Sequence, residues 1–405
     1  MTTDIAAGIG GDNRLHAMDA LRGGALLLGV AFHATLSFME PPFWVVGDNS
    51  TSPVMNAVYF VLHIFRMTLF FLIAGFFGRM LLHRRGTPGF VRDRAKRILA
   101  PLLIFWPVVM VMTVIAIIWA DAQAGKTSPP AAMTLRTFPL THLWFLYYLL
   151  LLYVGALALR GIAAVVDRTG AGRARIVDPL VRGIVRADLT PLVLGAPLCL
   201  TLILKSGWAL WFGVPAAENG LLPNAGALVA YATAFGFGWL LQRQSDLLRL
   251  WERRWRRYLV AAVVLTGAAL WLAGTAASFD TARSQGAKVG YAIVYVLAIW
   301  AWTMGIVGLA VRYLSVYRAP VRYVADASYW IYISHLPVVM LLQAAFMRVP
   351  LPWLVKYVLI LAIAFPVLLL SYRYLVRYTF LGSLLNGRRL RRQARPTVEA
   401  ALATE

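Results

Sequence analysis

Long runs of apolar residues alternate with short polar segments along almost the whole chain. Most runs approach the about 20 residues that an α-helix needs to cross the hydrocarbon core of a membrane. Alternation at the period of a β-strand is weak, so helices are the expected spanning form. The pattern predicts an all-α, polytopic membrane bundle of ten transmembrane helices, over residues 18–39, 55–79, 98–119, 142–159, 190–204, 224–242, 258–277, 288–311, 328–347 and 352–373.

The segments between these runs differ in charge. Arginine-rich segments at 79–97, 160–189, 243–257 and 312–327 alternate with segments that hold at most two basic residues. Positively charged connections stay on the cytoplasmic side of a membrane. We therefore expect a multi-pass membrane protein with both termini in the cytoplasm.

This topology divides the chain into three parts. We expect a cytoplasmic N-terminal segment at 1–17, the ten-helix domain at 18–376 and a basic cytoplasmic tail at 377–405. Segment 160–189 is expected to be a cytoplasmic linker that contains a short amphipathic helix. The first apolar run has no convincing cleavage site behind it, so it is expected to remain as the first helix.

Composition agrees with a membrane protein, since 60% of the residues are hydrophobic and only 14% are charged. The net charge of +22 could suggest nucleic acid, but the arginines lie between apolar runs, where they set topology. The lipid bilayer is the expected partner and nucleic acid is not. The single cysteine, Cys199, excludes an internal disulfide. The oligomeric state is left open, with a homo-oligomer as one alternative.

The first apolar run contains an arginine and a histidine, in the stretch MDALRGGALLLGVAFH. On an α-helix, Arg22 and His33 lie on one stripe, with about 16 Å of rise between them. Ionisable groups at membrane depth are costly and mark functional sites. The topology places His33 beyond the midplane of the membrane and Arg22 near the inner boundary. Arg22 is therefore either part of a functional site or an arginine whose side chain extends to the membrane interface. Asp19, one turn earlier, is a candidate partner for Arg22.

Further ionisable residues lie in other runs. His63 and Arg66 are neighbours on one helix face, at a depth similar to that of His33. Arg66 lies too deep to snorkel easily, so it is either part of a buried structural pair or a ligand site. His142 is expected at the outer boundary of the fourth run, and His335 nearer to the inner boundary than His33. The histidines form no close ligand pair, so no metal site is expected.

Aromatic residues crowd the outer ends of several runs. An interfacial aromatic belt is the favoured interpretation, and a platform for stacking sugars is the alternative. The residues are Phe43, Trp44, Trp208, Trp211 and Phe212.

At these residues the sequence resembles the acyltransferase-3 family of membrane proteins. The family signature is an aspartate, a basic residue, ten intervening residues and a histidine, which Asp19, Arg22 and His33 match. Further matches are FFLIAGFF, FVRDRAKRILAP, HLWFLYYL and SYWIYISH, in that order along the chain. HLWFL and HIFRMTLFFLIAGFF look most like family members implicated in adding succinyl groups to osmoregulated periplasmic glucans.

The resemblance implies a multi-pass O-acyltransferase of the bacterial inner membrane that has no bound cofactor. Its co-substrate would be a cytoplasmic acyl-coenzyme A, with succinyl-coenzyme A expected. The acceptor would be a hydroxyl of a periplasmic glucan. His33 would act as general base or carry the acyl group briefly, with Arg22 and Asp19 as further catalytic residues. Arg94 and Arg97 would hold the donor phosphates, with Arg22 and His335 near its thioester end.

An acyl and acceptor pocket is assigned to His63, Arg66, His142 and Trp144, with Arg66 as an oxyanion stabiliser or as the partner of a succinyl carboxylate. Some family members have an acidic residue after the fourth-span tryptophan, which this chain lacks, and the acceptor is therefore left open. One alternative is an O-acetyltransferase acting on another envelope polysaccharide or a lipid. Another is a transporter or flippase, which predicts inverted repeats or more intramembrane carboxylates than the sequence has.

Overall fold

The computed structural model describes the backbone of residues 2–127, 133–215, 217, 219–282 and 284–386, and the side chains of these ranges from residue 16 onward. The chain is about 80% helical, and no strand lies within these ranges. The helices are α1 (Thr2–Thr35), α2 (Pro53–Arg94), α3 (Ala100–Ala124), α4 (Trp144–Val166), α5 (Asp178–Arg186), α6 (Thr190–Leu204), α7 (Ala225–Leu241), α8 (Leu248–Ala273), α9 (Gln285–Tyr313), α10 (Ala319–Phe346), α11 (Trp353–Ser371) and α12 (Phe380–Asn386).

Within the described ranges, seven helical segments are long and apolar enough to cross a membrane. There are eight if the bent pair Arg173–Arg186 and Thr190–Leu204, with 103° between its helices, counts as one span. Pro53–Ala124 has 72 residues and Ala225–Ala273 has 49, so both are far longer than one crossing. The first of them bends at Gly86, whose φ of +65° favours glycine. The predicted all-α membrane bundle is confirmed, while the count of ten crossings stays a prediction.

The helix ends differ from the predicted spans at particular places. Helix α1 continues back to Thr2, through the N-terminal segment predicted as separate, and α10 begins at Ala319 instead of residue 328. The short amphipathic helix expected in segment 160–189 is confirmed as α5. Most of the predicted basic tail, residues 387–405, lies outside the described residues.

The helices that build the site pack in close pairs, with α1 along α10 and α2 along α7. Gly75 and Gly238 let the second pair approach, because a Cβ atom on either glycine would collide with a backbone carbonyl of the facing helix. Small residues at crossings are how membrane helices gain close contact. This packing fixes the position of the α2 side chains relative to α7.

The surface of α3 is apolar. Leu103, Val108, Val111 and Ile118 are each more than half exposed. Such a face is stable against lipid, where apolar side chains need no protein partner. Together with the candidate spans, it indicates a multi-pass membrane protein.

A buried ion pair holds the segment 39–52 between α1 and α2. Lys356 Nζ on α11 donates to both carboxylate oxygens of Asp48, at 2.7 and 2.9 Å, and both side chains are at most 2% exposed. Burial raises the pKa of the Asp48 carboxyl, against the effect of these hydrogen bonds. Trp353 N also donates to Ser50 Oγ at 2.9 Å. The segment is thus fixed over one end of the bundle.

Candidate active site

A cavity of about 380 Å³ lies between α1, α2, α7 and α10, and connecting segments close over it. Its wall is mostly apolar and aromatic, and no aspartate or glutamate of the described residues lines it. The predicted site residues that line it are His33, His63, Arg66, His142, Trp144 and His335.

Three of these histidines form a cluster on one side of the cavity. The ring centroids of His33 and His335 are 5.1 Å apart, and those of His142 and His335 are 4.9 Å apart. The third side, between His33 and His142, measures 6.4 Å. His142 and His335 are buried, whereas His33 is half-buried. His33 is therefore the member of this histidine cluster that is most accessible to a bound molecule.

Backbone carbonyls fix the tautomers of two rings in the histidine cluster. His335 Nδ1 lies 2.7 Å from Tyr332 O, and His142 Nε2 lies 3.1 Å from Ile333 O. A carbonyl oxygen only accepts hydrogen bonds, so each of these nitrogens donates its N–H. In the neutral rings, His335 Nε2 and His142 Nδ1 are then acceptors, and neither has a partner among the described residues. The cluster therefore has ring nitrogens free to take a proton.

Arg66 is a buried cation in the same cavity. Its guanidinium carbon lies 3.7 Å from the centroid of the Phe32 ring, and the residue is 7% exposed. Its Nη1 has no hydrogen-bond partner, and no carboxylate of the described residues pairs with it. A cation–π contact offsets only part of the cost of burying an unpaired charge. A bound anionic group would complete this site.

A second polar cluster lies outside the cavity lining. Asp93 pairs with three arginines, among them Arg94 at 2.6 Å and Arg97 at 3.3 Å. Arg22 pairs with Asp19 at 3.1 Å, which confirms the predicted pairing, and it lies close enough to Arg97 to repel it electrostatically. We call Arg22, Arg94 and Arg97, with their partners Asp19 and Asp93, the arginine cluster. The structure thus brings together the residues assigned to the donor phosphates, while the catalytic role of Arg22 and Asp19 stays a prediction.

The sequence profile described as "Acyltransferase domain" (Acyl_transf_3) matches residues 15–373. The chain belongs to the acyltransferase-3 family. Two curated relatives named Glucans biosynthesis protein C are 30% and 31% identical to it, over 145 and 148 residues. They come from Escherichia coli (strain SMS-3-5 / SECEC) and Shigella dysenteriae serotype 1 (strain Sd197). Each alignment covers 34% of this chain and 37% of the relative, so the match spans about a third of their length. No solved structure matches the chain.

Because the chain belongs to this acyltransferase family, the groups of the cavity can be compared with those that acyl transfer requires. Acyl transfer to a hydroxyl needs a base for the hydroxyl proton and a positive group for the developing oxyanion. The histidine cluster and Arg66 are groups of these two kinds. The described residues contain no group of three or more histidine, cysteine, aspartate or glutamate side chains that could hold a metal ion.

The predicted depth of His335 is wrong. We expected this residue near the level of Arg22, yet its ring lies against that of His33. The predicted depth of His335 was counted from a span that starts at residue 328, whereas α10 begins at Ala319. His335 is therefore about 24 Å along its helix, at 1.5 Å per residue. It belongs to the histidine cluster and is not level with Arg22.

The interpretation of the outer aromatic residues as an interfacial belt is also wrong for Trp208 and Trp211. Trp208 and Trp211 are each only 2% exposed. Phe43, Trp44 and Phe212 line the cavity. The reason is that segment 39–52 and the segment between α6 and α7 fold inward over the cavity.

Gln343 on α10 is a site residue that the sequence reasoning missed. It is 1% exposed, its Nε2 donates to His33 O at 2.9 Å, and its Oε1 accepts from Trp44 Nε1 at 3.2 Å. The His33 carbonyl belongs to the last turn of α1, where carbonyls lack helical partners. Gln343 therefore holds the backbone of His33 in place. The feature of the sequence that could have identified Gln343 is a single amide side chain within an apolar run.

Proposed function

We propose that this protein is an O-acyltransferase that moves a succinyl group from a cytoplasmic acyl-coenzyme A to hydroxyl groups of periplasmic glucans. The observation that supports this most is the cavity in which the histidine cluster and the unpaired Arg66 lie together. The printed name of the relatives supports a glucan acceptor. A succinyl group, unlike an acetyl group, has a free carboxylate that would pair with a buried arginine.

In the proposed mechanism, His33 is the general base. It takes the proton of the acceptor hydroxyl while the hydroxyl oxygen attacks the thioester carbonyl carbon. The new C–O bond forms, the C–S bond breaks, and the proton passes from His33 to the coenzyme A thiolate. In the covalent variant, a ring nitrogen of His33 attacks the thioester carbonyl, the C–S bond breaks, and the thiolate takes the proton of the other ring nitrogen. The acceptor hydroxyl then displaces His33 from the acyl carbon, and its proton passes to the released imidazole. His142 and His335 pack beside His33 and fix its position in either case.

The proposal includes a topology. Helices α1–α4 and α6–α11 would each cross the bacterial inner membrane, with both termini in the cytoplasm. This assignment rests on the arginine-rich segments, such as 79–97 and 243–257, which would then all be cytoplasmic. The arginine cluster would face the donor, and segment 39–52 would lie at the periplasmic end beside the cavity.

A transfer assay tests the proposal. Purified protein would receive labelled succinyl- or acetyl-coenzyme A together with periplasmic glucan, and the acylated glucan would be measured. We expect transfer by wild type, loss of transfer in His33→Ala, and no loss in His83→Ala, since His83 is an exposed histidine outside the cavity. Turnover with neither donor, or full turnover without His33, would contradict the proposal.

A further inference from the structure

Three phenylalanines from three different connecting segments meet at the cavity. Phe43 lies between α1 and α2, Phe212 between α6 and α7, and Phe279 between α8 and α9. The ring centroids are 5.4 Å apart for Phe43 and Phe212, 4.6 Å for Phe212 and Phe279, and 6.3 Å for Phe43 and Phe279. All three residues line the cavity, and we call them the aromatic rim.

The aromatic rim lies at the open end of the cavity. Phe279 is 71% exposed, whereas His335 is 3% exposed and Arg66 is 7% exposed. One cavity therefore leads from an exposed aromatic surface to the buried histidine cluster. Any acceptor that enters from this end contacts the aromatic rim first.

A stacked aromatic layer supports the rim from behind. The ring of Tyr59 stacks on Trp211, with centroids 5.5 Å apart and 14° between the planes, and on His63, at 5.4 Å and 10°. Phe212 packs edge-on against Trp211 at 5.0 Å, and its carbonyl accepts the Nε2–H of His63 at 3.0 Å. Phe212 of the aromatic rim is therefore hydrogen-bonded through its backbone to a residue of the cavity wall, and its ring packs against the stacked layer.

We propose that the aromatic rim is a binding subsite for a sugar ring of the acceptor, at a distance along the glucan from the hydroxyl that reacts. This inference rests on the proposed function. A pyranose ring has one face lined by C–H bonds, and this face packs on aromatic rings, whose faces are electron-rich. A site built from rigid aromatic rings and few polar groups binds such a face at low entropic cost. The rim would select chain acceptors over single small alcohols.

The test compares two acceptors and two alanine variants, with Phe279→Trp as a conservative control. The acceptors are a glucan oligosaccharide and glycerol, which has a hydroxyl group but no ring. The variants are Phe279→Ala and Phe380→Ala, which remove phenylalanines of equal exposure, 71% each, within and outside the cavity lining. We expect Phe279→Ala to raise KM for the oligosaccharide by about tenfold, in the range of one lost aromatic contact, and to leave KM for glycerol unchanged. Phe380→Ala should change neither value, and Phe279→Trp should retain oligosaccharide binding.

The outcomes separate this inference from the proposed function. Transfer by wild type to neither acceptor would mean that the proposed function fails. Transfer to both acceptors with KM unchanged in Phe279→Ala, or raised equally for both, would overturn the aromatic rim as a sugar subsite. A thermal unfolding midpoint equal to that of wild type would show that Phe279→Ala is folded.

Discussion

The arginine cluster and the cavity stabilise the charges of their arginines in different ways. In the arginine cluster, every cation that we assign to the donor has a carboxylate partner, and the Arg22 side chain is 41% exposed. In the cavity, Arg66 is 7% exposed and has an aromatic ring, not a carboxylate, as its neighbour. The arginines of the first region are thus paired with carboxylates of the protein, whereas Arg66 has no carboxylate partner among the described residues.

This difference is the basis of the binding roles that we propose for the two regions. Partly exposed arginines that share a carboxylate, such as Arg94 and Arg97, can exchange it for a phosphate, because the forked guanidinium fits both groups. A buried arginine without a counter-ion is stabilised most by a ligand that brings one. The arginine cluster therefore suits the nucleotide end of the donor, and the cavity suits the acyl group and the acceptor.

The largest effect is expected from removing a second member of the histidine cluster. We predict that His335→Ala lowers kcat by about 10²–10⁴-fold, the usual contribution of acid–base groups and their positioning partners. His83→Ala should have no such effect. Measuring kcat for both variants in the transfer assay checks this. Near-normal turnover in His335→Ala would show that the cluster is not the reaction centre.

Arg66→Gln should distinguish between two acyl donors. If Arg66 binds the succinyl carboxylate, kcat/KM for succinyl-coenzyme A should fall by about 10–100-fold, the value of a charged hydrogen bond, while acetyl-coenzyme A is used as before. Both donors are measured with the same glucan acceptor, and Arg66→Lys should retain part of the preference. An equal fall for both donors would assign Arg66 to the oxyanion instead.

Arg94 and Arg97, the phosphate-binding members of the arginine cluster, should affect donor binding and not chemistry. We predict that Arg97→Gln raises KM for the acyl-coenzyme A about tenfold with kcat unchanged, because one phosphate contact is lost. A short thioester donor without a nucleotide should be used equally well by the variant and wild type. Arg249→Gln, which removes an exposed arginine of α8, serves as the control. A fall in kcat with unchanged KM would contradict this assignment.

The smallest effect is expected at Gln343. Gln343→Met keeps the volume but removes the hydrogen bonds to the His33 carbonyl and the Trp44 indole. The loss of about 1 kcal/mol of positioning should lower kcat severalfold with little change in KM. Steady-state kinetics and the thermal unfolding midpoint are both measured. An unfolding midpoint that falls while kcat holds would make Gln343 a purely structural residue.

Local pattern was enough to predict most of the helices. The run 190–204 coincides with α6 despite its internal prolines, and α5 appears where an amphipathic helix was expected. His33, His63 and Arg66 were found because ionisable side chains stand out in an apolar run. These features depend on residues that are neighbours in sequence.

The pattern of apolar and polar residues does not predict contacts between distant parts of the chain. The depth of His335 depended on where α10 begins, and apolar runs do not fix that point. The pairing of Asp48 with Lys356 joins residues 308 positions apart. Lys356 is an ionisable residue in an apolar run, but the sequence does not indicate which carboxylate pairs with it. Trp208 and Trp211 resembled an interfacial belt because burial under a folded-in segment leaves no local signature.

We propose that the arginine cluster and the cavity serve opposite sides of one membrane. The most direct test uses vesicles that contain the protein in a single orientation, with labelled succinyl-coenzyme A on one side and glucan on the other. We predict acylated glucan when the donor is on the side of the arginine cluster and the glucan on the side of the aromatic rim, and none in the reverse arrangement. Product formed only when both substrates share one side would contradict the claim.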